Sequence, residues 1–278
     1  MFEVFSLPLA WQLALAFLLG AIIGSFLNVV IYRLHTNKSI SGRSHCLSCG
    51  HSLAWHDLVP LLSYLSLLGR CRYCGARITP RYFLVELLTG VLFASVILGE
   101  TSLYETLFWW LVMAVLVVVL VYDLLHLIIP DRAVIALLIL ALVWLGYQHF
   151  YLDRLALDVV FDTIGALAGA SSLAFLWVVS RGRWIGLGDA KLAVPLGLLV
   201  GAGSVFSLLV LSFWVGAVIS IGILSVQYLL KRGQRHLHFL RQPLTIKSEV
   251  PFAPFLIIAF LLIYWFDLNV LIITAAWF

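Results

Sequence analysis

The sequence predicts an all-α polytopic membrane protein with about eight transmembrane helices and a small cytoplasmic four-cysteine, zinc-binding domain between helices 1 and 2. First, 63% of the 278 residues are hydrophobic and 11% are charged, whereas soluble domains have about 45–50% and about 25%. Second, the apolar residues come in runs of about 17–25, the length needed to cross a hydrocarbon layer. Third, the positive charges cluster in alternate connecting segments, one of which holds all four Cys residues.

Eight spans follow from the apolar runs between charged or Pro/Gly-containing breaks. They cover residues 9–32, 83–99, 105–122, 133–149, 159–180, 190–203, 205–230 and 251–275. The sixth is short, and its boundary with the seventh is placed around Gly201 and Gly203. The N-terminal run has neither a basic leader nor a small-residue cleavage site, so we expect it to remain as the first transmembrane helix.

The distribution of Lys and Arg predicts the orientation. Segments 33–82, 123–132, 181–191 and 231–250 hold seven, one, three and five Lys/Arg, which is sixteen of seventeen; only Arg154 lies elsewhere. Because Lys and Arg concentrate in cytoplasmic loops, we expect these four segments in the cytoplasm and both termini outside. The predicted domains are a first transmembrane helix (1–32), a loop domain (33–82) and a second transmembrane domain (83–278), and the following residues assign the loop to zinc and the last domain to catalysis.

The large loop carries a candidate metal centre. A unit of about fifty residues has too small a hydrophobic core to fold alone and usually needs a crosslink such as a bound metal. Two CxxC pairs separated by 21 residues are close to the spacing of a four-thiolate zinc site. The ligands would be Cys46, Cys49, Cys71 and Cys74. Two disulfides are the alternative, but the reducing cytoplasm favours a metal, zinc before iron. A closed four-thiolate site has a structural role, because it leaves no open coordination position.

Two aspartates at the membrane face are the candidate catalytic residues. Asp123 ends the third span, and Asp189 opens the sixth within the sequence GLGD. Two carboxylates brought together at low dielectric share a proton, so one can activate water while the other protonates a peptide carbonyl. Gly186 and Gly188 would let an extended substrate backbone approach. The alternative is that both are ordinary helix-terminal aspartates, with Asp189 at the positive end of its helix.

Other acidic residues are weaker candidates. Asp131 follows Pro130 and fits the first turn of the fourth span. Glu86, at the cytoplasmic entry of the second span, is either a helix-end carboxylate or a partner of Arg81. The remaining acids of interest lie near the outer side, at Asp153, Asp158, Asp162 and Asp267.

These motifs resemble the type IV prepilin leader peptidases, and the resemblance covers nearly the whole chain. It is carried by residues 24–33 (GSFLNVVIYR), both CxxC pairs, the WHDLVPLLSYL segment at 55–65 and residues 81–89 (RYFLVELLT). Asp123 stands shortly before Ile129 and Pro130, as the first catalytic aspartate does in that family, and Asp189 matches the second in GxGD-x-K-L. Residues 251–255 (PFAPF) resemble the family's PFGP(Y/F), with Ala in place of Gly.

The resemblance implies an aspartic endopeptidase of the bacterial inner membrane. Its substrates would be prepilins and pseudopilins of type IV pilus or type II secretion systems, cut on the cytoplasmic side after a glycine. Many members also methylate the new N-terminus with S-adenosylmethionine. No glycine-rich nucleotide motif is present, and we take Glu86 and the loop as the first place to look for that cofactor.

Two other functions remain open at the level of the sequence. A presenilin-like or signal-peptide-peptidase-like protease would explain the two aspartates but not the four-cysteine loop. A non-catalytic, zinc-stapled membrane scaffold is the other alternative. The expected partners are the protein substrates and the lipid bilayer, and no nucleic-acid-binding signature is present.

Overall fold

A computed structural model describes residues 7–36, 42–99, 102–232 and 250–270. Within these residues the protein is all-helical, with nine α-helices and no β-strand. The helices are α1 (Leu9–Thr36), α2 (Leu62–Ser66), α3 (Arg81–Ile97), α4 (Leu103–His126), α5 (Asp131–Tyr151), α6 (Ala156–Ser180), α7 (Leu187–Val200), α8 (Ala202–Arg232) and α9 (Ala253–Phe266). The chain divides into two compact units, Met1–Val121 and Tyr122–Phe278.

The predicted all-α membrane fold, with the four cysteines between the first two long helices, is confirmed among the described residues. Five of the described helices, α1, α4, α5, α6 and α8, are long and apolar enough to cross a bilayer, and α9 is a shorter apolar helix. The predicted break between the sixth and seventh spans is also observed, because Gly201 has a φ of 78° and separates α7 from α8. The end of the last predicted span, from residue 271, and most of segment 231–250 lie outside the described residues.

In the first unit, α1 and α3 pack closely through glycines. A Cβ added at Gly20 would lie 2.7 Å from the carbonyl oxygen of Thr89, and one at Gly24 would lie 2.8 Å from the Cα of Glu86. Two glycines four residues apart form a flat helix face that lets a second backbone approach, as is common between membrane helices. The loop between the two helices begins where α1 ends and ends where α3 begins. The packing of α1 against α3 therefore holds both ends of the loop in place.

Replacing Gly20 with Leu is expected to destabilise this helix pair, because the added side chain meets backbone atoms that cannot move aside. Overpacking of this kind costs about 1–3 kcal/mol or more, so the unfolding temperature in detergent should fall by about 5 °C or more. The matched control is Gly146→Leu on α5, since nothing lies within 4 Å of a Cβ built there. An equal shift in both variants would contradict the proposed packing role.

In the second unit, α7 is the central helix and contacts α5, α6, α8 and α9. Leu192 and Leu196 on α7 are fully buried, and Pro195 is also buried. With 14 residues, α7 is only about 21 Å long, shorter than the roughly 30 Å hydrocarbon layer. Such a helix is tolerated because most of its length is buried against these neighbours rather than facing lipid. Asp189 lies in its first turn.

Candidate active site and metal centre

The second unit brings Asp123 and Asp189 together although 65 residues of chain separate them. Asp123 lies near the C-terminal end of α4 and is 4% exposed, and Asp189 in the first turn of α7 is 6% exposed. The two carboxyl groups are close enough for their charges to repel each other. Burying two like charges near each other is unfavourable.

Each carboxyl group of the pair is oriented by a backbone N–H. The N–H of Gly186 donates to Oδ2 of Asp189 at 3.1 Å, and the N–H of Ala253, at the beginning of α9, interacts with the carboxyl group of Asp123. Oδ2 of Asp123 is buried and has no hydrogen-bond partner among the described residues. A buried polar atom without a partner is rare in native proteins, and here it provides a position for a water or a substrate group.

Two further contacts join the segment after Asp123 to the segment around Asp189. A Cβ added at Gly188 would lie 3.2 Å from the Cβ of Ile129, so the absence of a side chain there allows the two chains to meet. Lys191 pairs with Asp131 through a 2.8 Å contact between Nζ and Oδ1. That pair is exposed and contributes little to stability, but it lies beside the first turns of α5 and α7.

The glycines before Asp189 therefore have a structural role that the sequence did not indicate. At Gly186, an added Cβ would lie 3.2 Å from Oδ2 of Asp189, beside the hydrogen bond that orients the carboxyl group. At Gly188 the neighbour is Ile129. Close approach of a substrate to these glycines stays a prediction.

In the first unit, the four predicted metal ligands converge. The Sγ atoms of Cys46, Cys49, Cys71 and Cys74 all lie within 4.8 Å of one another, and those of Cys46 and Cys74 are 3.9 Å apart. Tetrahedral coordination with Zn–S bonds of about 2.3 Å places sulfurs about 3.8 Å apart. The four thiols are free rather than joined in disulfides, and their geometry fits a single tetrahedral metal ion.

The two CxxC segments have the same local structure. The N–H of Gly50 donates to the carbonyl of Cys46, and the N–H of Gly75 donates to that of Cys71, both at 2.9 Å. Both glycines have positive φ, 72° and 69°, a conformation that glycine adopts without a steric penalty. The N–H groups of Cys49 and Ser48 interact with the Cys46 thiol and lower its pKa to about 6, which favours the thiolate form that binds metals.

Asp57 connects the chain between the two CxxC pairs to the second pair. Its side chain is 3% exposed and accepts hydrogen bonds from Arg72 Nε at 2.8 Å and from the Tyr73 hydroxyl at 2.9 Å. Burial raises the pKa of Asp57, but these donors and the N–H of Ala54 outweigh it and hold the pKa below its ordinary value. The ionised carboxylate therefore stabilises the loop at neutral pH.

Replacing Asp57 with Asn is expected to loosen the metal site without removing a ligand. Hydrogen bonds to a charged group contribute about 1.5–3 kcal/mol, so release of the metal to a chelator should be roughly five-fold faster or more. Asp158→Asn is the matched control, because Asp158 is a partly buried aspartate in the first turn of α6 and lies outside the metal-binding loop. Unchanged release from Asp57→Asn would show that this network does not support the site.

Glu86 lies beside a cavity of about 390 Å³ in the first unit, whose walls include Ser25, Asn28, Tyr82 and Glu86. Glu86 is 9% exposed and accepts a 2.8 Å hydrogen bond from the N–H of Leu61. Asn28 donates to the carbonyl of Tyr82 at 3.1 Å, while its own Oδ1 is buried without a partner among the described residues. The cavity thus combines a buried carboxylate with an unused acceptor.

Known families match most of the chain. The Bacterial Peptidase A24 N-terminal domain matches residues 18–99, and the Type IV leader peptidase family matches residues 110–221. A prepilin leader peptidase/N-methyltransferase of Aeromonas hydrophila is 33% identical over 275 residues, covering 88% of each chain. The chain belongs to the type IV leader peptidase family.

Two further relatives carry the same name. The protein of Myxococcus xanthus is 37% identical over 74% of this chain, and the match spans 61% of that protein. The protein of Pseudomonas aeruginosa is 30% identical, with 91% of this chain and 89% of that protein covered. No solved structure matches this chain. Family membership confirms the resemblance seen in the sequence and identifies a polytopic inner-membrane protein of a peptidase family.

Sequence reasoning missed two features of this chain. The first is the interaction of the N–H of Ala253 with the carboxyl group of Asp123. In the sequence, the PFAPF segment that contains Ala253 indicated only a resemblance to the family motif. Asp162, ranked as a weak outer-side acid, is 3% exposed and pairs with Arg154 at 2.8 Å. It also accepts a 2.7 Å hydrogen bond from the N–H of Ala202, which begins α8. Arg154, the one Lys or Arg outside the four basic segments, thus neutralises a buried carboxylate.

Proposed function

We propose that this chain is an aspartic endopeptidase that removes the leader peptides of type IV prepilins and pseudopilins. The observation that carries the proposal is the buried Asp123–Asp189 pair, with one oxygen of Asp123 left without a partner. The names of the relatives support the substrate class. The fit of both family profiles favours this function over a presenilin-like protease or a scaffold.

The proposed chemistry uses the pair as one unit that holds a single proton. The ionised carboxyl takes a proton from water, and the water oxygen attacks the carbonyl carbon of the scissile peptide. The protonated carboxyl gives its proton to the carbonyl oxygen. Collapse of the tetrahedral diol breaks the C–N bond: the departing amine receives the proton held by one carboxyl, and a diol hydroxyl gives its proton to the other carboxylate, which restores the single shared proton. No metal takes part in these steps.

The proposed location of this reaction is the cytoplasmic membrane face. Segments 123–132 and 181–191 adjoin the two aspartates and belong to the group that carries sixteen of the seventeen Lys and Arg residues. Positive residues concentrate on the cytoplasmic side, which also agrees with both termini outside. A substrate whose apolar helix starts near its cleavage site would present that site at this depth.

We also propose that the four cysteines hold a structural zinc ion within domain 33–82, between helix 1 (1–32) and the catalytic domain (83–278). The fit rests on the four convergent thiols and the sulfur separations. The ion would crosslink two segments of a loop that has little core of its own. This proposal requires no catalytic role for the metal.

The cavity beside Glu86 favours N-methylation as a second activity. Its volume of about 390 Å³ is within the range of roughly 300–1,000 Å³ for small-molecule sites. S-adenosylmethionine supplies a methyl group when bound, and the relatives are named as N-methyltransferases. We propose that the carboxylate of Glu86 accepts a proton from the new N-terminal amine. The amine must lose this proton because only the neutral amine can be methylated.

Glu86→Gln is expected to reduce methylation at least about a hundred-fold, the lower range for loss of a general base, while cleavage continues. Gln keeps an oxygen that can accept from Leu61, so the fold should persist. Glu105→Gln is the control, because Glu105 caps α4 through Ser102. Intact-mass analysis of the product and retention of radiolabelled S-adenosylmethionine give separate readouts. Normal methylation by Glu86→Gln would refute this role.

The experiment that tests the main proposal is cleavage of a membrane-inserted prepilin by the purified chain. Mass spectrometry should show a single cut at the leader junction, and a substrate with the glycine before that junction replaced should resist. Cleavage of unrelated membrane peptides but not of prepilin would instead support a presenilin-like activity. Absence of cleavage of any peptide by folded protein would support the scaffold.

A further inference from the structure

The loop of the first unit presents an apolar surface that the proposed function does not explain. Between the two CxxC pairs, large hydrophobic side chains are exposed rather than buried, with Trp55 81%, Leu62 66%, Leu65 55% and Leu68 86% exposed. We call residues 55–68 the apolar segment. A loop in water rarely exposes so many apolar side chains together, and such a patch marks a protein or membrane contact.

The orientation of α2 shows that this exposure is organised. Leu62 and Leu65 are three residues apart, so they share one face of the short helix. On another side, the Tyr64 ring packs against Phe83 in the first turn of α3, with ring centroids 5.4 Å apart. The helix therefore turns its aromatic side towards the protein and its leucines outwards.

The depth of α2 points to lipid as the partner. The N–H of Leu61 donates to Glu86, and Glu86 lies opposite Gly24 of α1. Gly24 precedes Arg33, the first charged residue after the apolar run of α1, by nine residues, or about 13 Å along the helix. One glutamate side chain is shorter than this distance. Leu61 therefore lies alongside the apolar length of α1 rather than beyond its end.

The neighbouring surfaces have the chemistry of a membrane interface. On α3, Leu84 is 56% exposed two residues before Glu86, so an apolar surface already faces outwards near that depth. Trp is enriched where membranes meet water, and Trp55 is the most exposed aromatic side chain of the apolar segment. Arg70 and Arg77 follow the segment and are exposed, which suits anionic lipid headgroups.

We propose that the apolar segment is an interfacial anchor that inserts Trp55, Leu62, Leu65 and Leu68 into the lipid leaflet beside α1 and α3. Apolar faces of interfacial helices are buried about 5–10 Å into the boundary between headgroups and acyl chains. The anchor holds the metal-binding loop flat against the bilayer. This inference is independent of the proposed peptidase activity, since it rests only on the first unit.

The test is photocrosslinking of the full chain in nanodiscs that contain anionic lipid. Benzoylphenylalanine at position 65 should form lipid adducts at least about ten-fold more often than at position 47, if position 65 is in the acyl region. Leu47 is the matched control, because it is a leucine of the same loop with similar exposure, 60%. Mass spectrometry identifies the adducts, with and without prepilin present.

Lipid adducts at position 65 support the anchor. Adducts to prepilin or to a second copy of the chain in place of lipid would overturn it, as would equal labelling at positions 65 and 47. A second measurement uses the conservative variant Trp55→Phe. Because the chain has ten Trp residues, subtracting the emission of this variant from that of wild type isolates the fluorescence of Trp55. That fluorescence should fall by at least about half in brominated lipids. A difference quenched by aqueous acrylamide but not by bromine would also overturn the proposal.

Discussion

Asp189→Asn is expected to reduce prepilin cleavage by about a thousand-fold or more while the protein stays folded. Asn retains the shape of the side chain and can still accept the hydrogen bond from Gly186. It cannot hold the shared proton or take a proton from water. Loss of positioned acid–base catalysis typically costs about 10²–10⁴ in rate, and a variant that disables both steps should lie near the upper end.

The matched control for this variant is Asp131→Asn. Asp131 is also a helix-first-turn aspartate of the second unit, but its side chain is 70% exposed and paired with Lys191. We expect a change of less than about two-fold, because exposed ion pairs contribute little. Cleavage is measured by mass spectrometry on protein whose unfolding temperature has been checked. A folded Asp189→Asn variant that cuts at the wild-type rate would remove Asp189 from the mechanism.

Cys71→Ser is expected to abolish metal binding. Cys71 is the buried member of the four-cysteine cluster, 6% exposed, and structural zinc in such sites contributes about 10–16 kcal/mol of apparent binding free energy. Elemental analysis should give about one zinc per wild-type chain and less than about a tenth of that in the variant. Without the ion, trypsin should cut the loop at Arg70 or Arg77, which are exposed.

Ser48→Ala is the control for the metal site, since Ser48 lies between two ligands without supplying a thiol. It should keep its metal and its resistance to trypsin. Full metal content in Cys71→Ser would show that the other three cysteines suffice. Two disulfides in wild-type protein, found by mass spectrometry under non-reducing conditions, would instead support the alternative that spacing alone left open.

The fold was predictable from the sequence because a bilayer imposes its own length and polarity on each helix. Charge-free runs marked α1 and α8, and Gly201 marked the end of α7. The shortness of α7 was also visible. Its central position was not, because hydropathy cannot distinguish a helix that faces lipid from one that faces other helices.

The sequence predicted those parts of the candidate sites whose side chains are themselves reactive or bind metals. Thiols at CxxC spacing and carboxylates at a membrane edge are costly or reactive enough to stand out. The interaction of Ala253 with Asp123 and the contact between Gly188 and Ile129 involve a backbone N–H and an ordinary apolar side chain. Such groups occur throughout the chain, so only the three-dimensional arrangement identifies them.

The most direct test of the central claim compares prepilin cleavage by wild type, Asp123→Asn, Asp189→Asn and the double variant, all reconstituted in the same lipid. If the two carboxyl groups act as one unit, each single variant should be as inactive as the double variant, because effects within a catalytic unit are not additive. A folded Asp123→Asn variant with substantial activity, or a double variant far slower than both single variants, would contradict a shared aspartyl pair.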